Sequence, residues 1–167
     1  MSNHHLSFWE FSLSLYRHDR VKSTCLSLQD SHSADVNLLL FLLYQAYQQR
    51  QLDALMISQL DTAVKAWRNT VIQPLREARN ALKGTPFQLP NHAQETLRQQ
   101  VLALELSAEK LEQEYLETLP LRTQFANAHH AARINLEHYA SLLTEHADGT
   151  WQDLLHTYQT LMPDTTQ

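Results

Sequence analysis

The apolar residues of the chain recur mostly with the period of an α-helix, and they are densest in one segment. This segment, DVNLLLFLLYQAYQQR, covers residues 35–50, and every residue from Leu38 to Tyr44 is apolar. Consecutive residues in such a run cover all directions around a helix, and a helix that is apolar all round is buried on all sides. A buried strand has a similar composition, but this segment is too long for a typical strand. We therefore predict a central helix over about 35–50, surrounded by the other helices.

Two polar residues stand at the start of this predicted central helix. Asp35, or Ser33 before it, is placed to accept a hydrogen bond from the free amides of the first turn. Asn37 lies within that turn, and two interpretations of it stay open. Its side chain either satisfies free amides or caps a neighbouring helix, or it presents a polar group to a pocket. Buried amides are usually structural hydrogen-bonding groups, which favours the first interpretation.

Two apolar repeats precede the central helix. The first predicts a helix over about 7–16, although three of its apolar residues also alternate as in a strand. The second predicts a helix over about 21–29, and Asp19 is placed to cap it. Cys25 lies on the apolar face of this second helix, which predicts a buried and unreactive thiol.

The longest apolar repeats lie in the middle of the chain and predict a helical hairpin over about 53–117. The first repeat runs from Asp53 to Lys83, with apolar residues at steps of four and three. Gly84 ends this helix, and two prolines mark the turn. We expect Asn91 to cap the second helix. The apolar positions of the second helix are Leu97, Val101, Leu104, Ala108, Leu111 and Tyr115.

Pro74 interrupts the first helix of this predicted hairpin. A proline inside a helix removes one backbone hydrogen bond, and its ring clashes with the preceding turn. We therefore expect a distortion of the helix near residues 70–73. The sequence alone does not decide between a kink and a complete break.

Two further helices are predicted after the hairpin. The first covers about 123–145, with Phe125 on its apolar face, and the second runs from Trp151 to Leu161. The chain has only two glycines in 167 residues, few for an all-β fold, which needs many turns. We predict an all-α, single-domain bundle of about six or seven helices, with residues 1–5 and 164–167 disordered.

Charge and composition narrow the classes of function. The 13 lysines and arginines against 18 aspartates and glutamates give a formal charge of −5. This excess of acidic residues argues against a general nucleic-acid binder, which neutralises phosphates. The single cysteine allows no internal disulfide. The N-terminus lacks the pattern of a signal peptide. The longest apolar run is far shorter than the roughly 20 residues of a membrane span. We therefore expect a cytoplasmic protein without membrane contact.

Motifs for catalysis or cofactor binding are missing from the sequence. With two glycines, the chain has no glycine-rich phosphate loop and no nucleophile elbow. The densest histidine group, His129, His130 and His138 with Glu137, lacks the spacing of metal ligands on one helix face. We predict no catalytic residue, no metal and no cofactor. No residue of the sequence requires an enzymatic function.

The most polarised feature is a basic ridge on the first helix of the hairpin. It consists of Lys65, Arg68, Arg76, Arg79 and Lys83, with Glu77 as the single acid between them. Residues 105–117 of the facing helix hold five glutamates and one lysine. A turn near residue 87 would place Lys65 opposite Glu109 and Arg79 opposite Glu95. The ridge is therefore either neutralised by exposed pairs within the hairpin, each worth about 0–1 kcal/mol, or free to bind an anion or a partner.

Three blocks of the sequence together resemble a known family. They are FWEFSLSLY (8–16), CLSLQDSHSADVNLLLF (25–41) and WRNTVIQPLREARNALK (67–83). They are similar to a small, mainly proteobacterial, all-helical family known only as a domain of unknown function. The resemblance implies no activity or cofactor, but it implies a partner, because genes of the family often lie near a soluble ATP-binding-cassette protein. The residues that belong to the family's pattern are Asp35, Asn37, Trp67, Arg68, Pro74, Arg76 and Arg79.

These observations lead to two hypotheses of function. The first is a cytoplasmic, non-enzymatic accessory or adaptor protein that binds another macromolecule through the basic and aromatic surface at residues 67–83. The second is a bundle that binds a small molecule or an anion in a polar pocket near Asn37, Arg68 and Arg76. A deep pocket with convergent polar groups would favour the second hypothesis, and a flat basic or aromatic surface the first. The candidate site residues are Asn37, Trp67, Arg68, Arg76, Arg79 and Lys83.

Overall fold

The computed structural model describes residues 6–84 and 87–164, and these residues form a helical bundle. The helices in chain order are α1 Phe8–Tyr16, α2 Asp19–His32, α3 Val36–Tyr47, α4 Ala54–Trp67, α5 Gln73–Gly84, α6 Asn91–Thr118, α7 Ala128–Leu143 and α8 Gly149–Leu161. Two short strands, β1 Arg50–Leu52 and β2 Thr123–Phe125, pair antiparallel. The predicted all-α class is confirmed. The prediction of disorder covered 1–5 and 164–167, of which 1–5 and 165–167 lie outside the described residues.

Helix α3 is the central helix that the sequence predicts. It begins after Asp35, whose Oδ1 accepts a hydrogen bond of 3.1 Å from Leu38 N, and its apolar run is buried. Helices α1, α2, α6 and α7 pack around it. The predicted extension to residue 50 is wrong, because the helix ends at Tyr47. Gln49 has a φ of 60°, a left-handed conformation that turns the chain into β1.

A π-helical turn over Arg68–Ile72 joins α4 to α5 and accounts for Pro74. Pro74 has no N–H for the Thr70 carbonyl, and its ring would clash with a regular turn at this place. In the wider turn, Gln73 N–H instead donates to the Arg68 carbonyl five residues earlier. The predicted distortion near 70–73 is therefore present as a widened turn, and the helical path is not broken.

Helix α6 differs most from its prediction. Its apolar repeat does not face the core, since Leu104 is 59% exposed and Leu111 54% exposed. The residues that α6 buries are Glu105, Ala108, Glu112, Gln113 and Leu116. Glu105 and Gln113 occupy the inner face because their hydrogen-bonding partners lie on α5 and α3. Asn91 is the first helical residue after Pro90, so the predicted cap is also wrong.

The segment after α6 is a strand where a helix was predicted. Thr123–Phe125 pairs with Arg50–Leu52, and Phe125 is 83% exposed, not on the apolar face of a helix. Helix α7 begins at Ala128, where Asn127 Oδ1 accepts a hydrogen bond of 2.8 Å from His130 N. A similar correction applies to α2, which starts at Asp19 itself and has no side-chain cap.

Asn135 fastens the two-stranded sheet to the bundle. Its side chain is fully buried, and its Oδ1 accepts a hydrogen bond of 2.8 Å from Leu52 N. Its Nδ2 donates to the carbonyls of Leu42 and Arg50, both at 3.2 Å. One amide thus satisfies backbone groups where α3 passes into β1. Among the described helices, none combines the length and apolarity needed to cross a membrane.

Candidate functional site: a cleft beside helix α6

A cleft of about 610 Å³ separates α1, α2 and α3 from α5 and α6. Its walls combine eight apolar or aromatic residues with twelve polar or charged ones. The apolar and aromatic lining residues are Trp9, Leu13, Tyr16, Leu26, Val36, Leu40, Leu102 and Leu106. The volume of the cleft lies within the range of small-molecule pockets in proteins.

The two faces of α1 explain why aromatic and apolar groups line the cleft. Phe8 and Phe11 turn toward α3, where the Phe8 ring centroid lies 5.1 Å from that of Phe41. The opposite side of α1 then carries Trp9 and Leu13 into the cleft. Ser7 fixes the start of this helix through a reciprocal capping box with Glu10.

The structure brings most of the predicted site residues to one place. Asn37, Arg76, Arg79 and Lys83 line the cleft. Arg68 lines a smaller inner cavity of about 50 Å³, which shares Gln29, Val36, Asn37 and Arg76 with the cleft as walls. Only Trp67 lies elsewhere, on the other side of α6.

Glutamates of α6 neutralise the arginines that line the cleft. Arg76 Nε lies 3.2 Å from Glu105 Oε1, and Arg76 Nη2 lies 3.1 Å from Glu109 Oε1. Arg79 also pairs with Glu105 through its Nε and Nη2 groups. Neutralisation within the hairpin, one of the two alternatives from the sequence, is therefore present at these two arginines. Lys83 is exposed and makes no ion pair within the described part of the chain.

The partners within the hairpin are not the predicted ones. Arg79 binds Glu105 and not Glu95, which pairs with Arg98 at 2.7 Å. Glu109 binds Arg76 and not Lys65. Side chains of a helix lean toward its own N-terminus. In an antiparallel hairpin, basic side chains of α5 therefore lean away from the turn and acidic ones of α6 lean toward it, which shifts the pairing.

Arg68 occupies the centre of a second, more buried ionic group at the inner cavity. Its Nη1 lies 2.9 Å from Asp35 Oδ2 and 2.9 Å from Asp61 Oδ1. Burial alone would lower the pKa of the guanidinium, but Asp35 and Asp61 outweigh burial and raise that pKa above its ordinary value. Asp35 thus has two roles, since its other oxygen caps α3.

Glu112 lines the same cavity and is 2% exposed. It makes no ion pair within the described residues, and its side chain shares a hydrogen bond with the carboxyl group of Asp35, which requires a proton on one of the two. Burial, the charge of Asp35 and this hydrogen bond raise the pKa of the Glu112 carboxyl well above its ordinary value, so the shared proton lies on Glu112.

Two buried polar atoms at the cleft lack a partner. Apart from the Glu112 carboxyl, four buried side-chain atoms within the described part of the chain have no hydrogen-bond partner, and two of them, Ser12 Oγ and Gln113 Oε1, belong to residues that line the cleft. The other two belong to Trp151 and Tyr158 of α8. Because such atoms are rare in native proteins, the two at the cleft require an explanation.

Asn37 makes a structural hydrogen bond, but to a side chain and not to the free amides or the helix end that the sequence suggested. Its Oδ1 accepts a hydrogen bond of 2.9 Å from Gln113 Nε2, which links α3 to α6. The same amide also lines both the cleft and the inner cavity. Gln113 Oε1 is left buried without a donor.

Sequence reasoning missed Ser12, Glu112 and Gln113. The one available signal was the spacing of Glu105 and Glu112, which are seven residues apart and so share one face of α6. That face is the buried one. The periodic leucines beside it were a stronger indication of a buried face, but the face that they form is exposed.

A separate groove of about 490 Å³ lies on the other side of α6, and we call it the Trp67 groove. Trp67 Nε1 donates a hydrogen bond of 3.0 Å to the Ala108 carbonyl, which holds the indole against α6. Leu111 and Tyr115 form the opposite wall and are exposed. Polar groups are sparse in this groove, so it is an apolar surface and not a basic one.

His129 and His138 of the predicted histidine group are engaged in local contacts. His129 Nε2 lies 2.8 Å from the Met162 carbonyl, and His138 Nδ1 lies 3.1 Å from the Leu52 carbonyl. No group of three or more histidine, cysteine, aspartate or glutamate side chains within 6–84 and 87–164 is placed to hold a metal ion.

Comparison with known proteins places the cleft within one family domain. The model of the family described as "Protein of unknown function (DUF2390)" matches residues 7–116. It includes all side chains that line the cleft and the inner cavity, and it extends the resemblance seen over 8–83 through most of α6. No curated protein and no solved structure matches the chain. Because the match spans more than half of the 167 residues, the chain belongs to the DUF2390 family of proteins of unknown function.

Proposed function

We propose that the protein binds a small organic molecule in the cleft beside α6. The observation that carries the proposal is the pair of buried, unpartnered atoms in its wall, Ser12 Oγ and Gln113 Oε1. An unsatisfied buried polar group costs about 1–3 kcal/mol. Both atoms are closed to water in the free protein, so a ligand removes that cost when its entry opens the wall around them.

The residues that line the cleft indicate the chemical groups of the ligand. Gln113 Oε1 can only accept a hydrogen bond, so the ligand presents an N–H or O–H donor to it. The leucines of α1, α2 and α6, with the rings of Trp9 and Tyr16, fit an apolar or aromatic body. A molecule with an aromatic body and a polar end meets both conditions.

The arginines of this cleft are poorly placed to bind an anion, although the sequence suggested an anion site as one alternative. Arg68, Arg76 and Arg79 each contact at least one carboxylate. An incoming anion would have to displace Asp35 or Glu105, and the displaced carboxylate would lose its partner while buried. Such a loss is costly in a protein interior, and this cost favours a ligand with hydrogen-bond donors.

A pair of matched variants tests the proposal with 3-phenylpropanol as the probe. Leu106 lies in the cleft wall and is 48% exposed, whereas Leu104 is similarly exposed but lies outside the cleft. Leu106→Trp should fill the cleft and weaken binding by about tenfold or more, equal to about 1.4 kcal/mol. Leu104→Trp should leave binding within about twofold. Equal affinity of both variants, or no binding to the wild type, would contradict the proposal.

An accessory or adaptor role in the cytoplasm, the first hypothesis from the sequence, is a second candidate function, with a surface that differs from the predicted one at residues 67–83. The exposed row of Leu104, Leu111 and Tyr115 beside Trp67 favours it, because contiguous exposed apolar residues often mark protein interfaces. The resemblance suggests a soluble ATP-binding-cassette protein as the partner. Purified protein of that class should bind the wild type and lose binding to Leu111→Ser but not to Leu142→Ser, which changes an exposed leucine of α7.

A further inference from the structure

The lining of the cleft is positively charged, although the chain as a whole is acidic. Four basic and three acidic residues line the cleft, so its lining carries a net charge of +1. The formal charge of the chain is −5. The basic lining residues are Lys22, Arg76, Arg79 and Lys83, and the acidic ones are Asp30, Glu105 and Glu109. One negative charge on a ligand would therefore neutralise the lining.

Lys22 and Lys83 are the basic residues of the lining that have no ionic partner. Arg76 and Arg79 contact carboxylates of α6. Neither lysine makes an ion pair within residues 6–84 and 87–164, and the rest of the sequence includes no aspartate or glutamate. Both lysines are exposed, so their ammonium groups stay hydrated in the free protein and are available to an anion from solution.

Both lysines lie at the end of the cleft that is remote from the inner cavity. Gln29 of α2 and Arg76 of α5 line the cleft and the inner cavity alike. Lys22 precedes Gln29 by seven residues in α2. Lys83 follows Arg76 by seven residues in α5. Each lysine is thus two helical turns, or about 10 Å, from the inner cavity along its own helix, and the two flank the outer end of the cleft from opposite walls.

The inner end of the cleft has the opposite preference. Asp30 makes no ion pair within the described part of the chain, and it is adjacent to Gln29, so it lies at the inner end and away from Lys22. Gln113, whose free Oε1 accepts hydrogen bonds, is held to Asn37 at the same end. A ligand with a negative charge is therefore oriented with its charge outward and its hydrogen-bond donor inward.

We infer that the ligand of the cleft is a carboxylic acid whose carboxylate contacts Lys22 and Lys83 at the outer end, while its apolar or aromatic body lies among the leucines and Trp9. This inference rests on the proposed function, because it names the chemical class of the molecule that the cleft binds. A carboxylate at the outer end displaces neither Glu105 nor Glu109 from its arginine. Its single charge balances that of the lining.

The strength of these contacts follows from the exposure of the lysines. A pair between an exposed lysine and a carboxylate strengthens binding only severalfold, so two such pairs should give about tenfold. Salt weakens pairs of this kind, because exposed charges are screened over about 10 Å at 0.1 M. The affinity of an acid should therefore depend on salt, and that of a neutral molecule of the same shape should not.

The experiment compares three probes that differ only in one terminal group, by isothermal titration calorimetry at pH 7. They are 3-(4-hydroxyphenyl)propionate, 3-(4-hydroxyphenyl)propanol and 3-(4-hydroxyphenyl)propylamine, and the phenol supplies the same O–H donor in all three. In about 20 mM NaCl we expect the acid to bind about tenfold more tightly than the alcohol, and the amine more weakly than the alcohol. In about 500 mM NaCl the advantage of the acid should fall to about threefold or less.

Two double variants separate the lysines of the cleft from the general charge of the protein. Lys22→Gln/Lys83→Gln should bind acid and alcohol equally well. Arg20→Gln/Lys65→Gln removes the same net charge at exposed positions outside the cleft and should keep the preference for the acid. All four residues are exposed, so their substitution should change stability little. An affinity for the alcohol within about twofold of wild type shows that the cleft of each variant is intact.

The outcomes distinguish this inference from the proposed function. Equal binding of acid and alcohol to the wild type, or tighter binding of the amine, overturns the inference and leaves the proposed function standing. A preference for the acid that survives in Lys22→Gln/Lys83→Gln, or that both double variants lose equally, also overturns the inference alone. Absence of binding by all three probes overturns both.

Discussion

Gln113 Nε2 donates a hydrogen bond of 2.9 Å to Asn37 Oδ1, and this bond joins α6 to α3 at the wall of the cleft. Both residues are buried. The bond fixes the orientation of the Gln113 amide and thereby directs its free oxygen, Oε1, which has no donor of its own. A structural contact between two helices thus also determines which hydrogen-bonding group the cleft offers.

Asn37→Ala should destabilise the protein by about 1–3 kcal/mol, because it leaves the Gln113 amide buried with no acceptor. Urea unfolding measures this loss. Asn80→Ala is the matched control, since Asn80 is an exposed residue of α5, and its free energy of unfolding should change by less than about 0.5 kcal/mol. Equal free energies of unfolding of Asn37→Ala and the wild type would show that the bond does not stabilise the protein.

Arg68→Ala should be among the most damaging single changes. It would leave Asp35 and Asp61 without their common cation, and removal of one partner of a buried ion pair costs about 3–5 kcal/mol. Arg133→Ala breaks the exposed pair with Glu137 and should cost less than about 1 kcal/mol. Chemical denaturation of the two variants should therefore give clearly different midpoints, and coincident midpoints would rule out a buried role for Arg68.

The raised pKa of Glu112 predicts that the free protein loses stability as the pH rises. Between about 4.5 and about 10 the folded state keeps a proton on Glu112 that the unfolded state has released, so unfolding becomes easier with increasing pH. Asp35, Arg68 and Glu109 are the charged groups that face it. Glu112→Gln removes this proton equilibrium, and its stability relative to the wild type should increase from about pH 6 to about pH 8.5. Parallel pH profiles of the two proteins would contradict a raised pKa of this buried carboxyl.

Cys25 should resist thiol reagents in the folded protein. Its thiol is buried in α2, and burial raises its pKa to about 12, so little thiolate exists at pH 8. Ser27→Cys adds an exposed thiol two residues along the same helix and should react at once. Labelling of Cys25 should require denaturant, and a native reaction as fast as that of the added thiol would overturn this expectation.

The sequence predicted those helices whose own residues carry the pattern that determines them. The run from Leu38 to Tyr44 was sufficient for a buried central helix, because seven apolar residues leave no polar face. The strand Thr123–Phe125 could not be predicted, since it forms only through pairing with residues 50–52, far away in the chain. The periodic leucines of α6 were misleading for a similar reason. Which face of α6 is buried depends on Arg76 and Arg79 of another helix, and a periodicity within α6 carries no information about them.

The candidate site was predicted only in part, because it too depends on contacts between distant parts of the chain. Asn37, Arg68 and Arg76 were proposed together as the lining of a polar pocket, and they do line the inner cavity. Ser12 and Gln113 are ordinary helix residues in the sequence, and only the packing of α1 and α6 buries them. Trp67 was grouped with the arginines because it is adjacent in sequence, yet it lies on the other side of α6.

The central claim is that the cleft beside α6 binds a small molecule, and the three tryptophans of the chain test it directly. Trp9 lines the cleft, Trp67 lines the Trp67 groove, and Trp151 is buried in α8. Protein labelled with 5-fluorotryptophan should give one fluorine resonance for each, assigned by single Trp→Phe variants. Titration with 3-phenylpropanol should shift the Trp9 resonance saturably and leave those of Trp67 and Trp151 in place. A shift of Trp67 with Trp9 unchanged, or no shift of Trp9 at saturating probe, would contradict the claim.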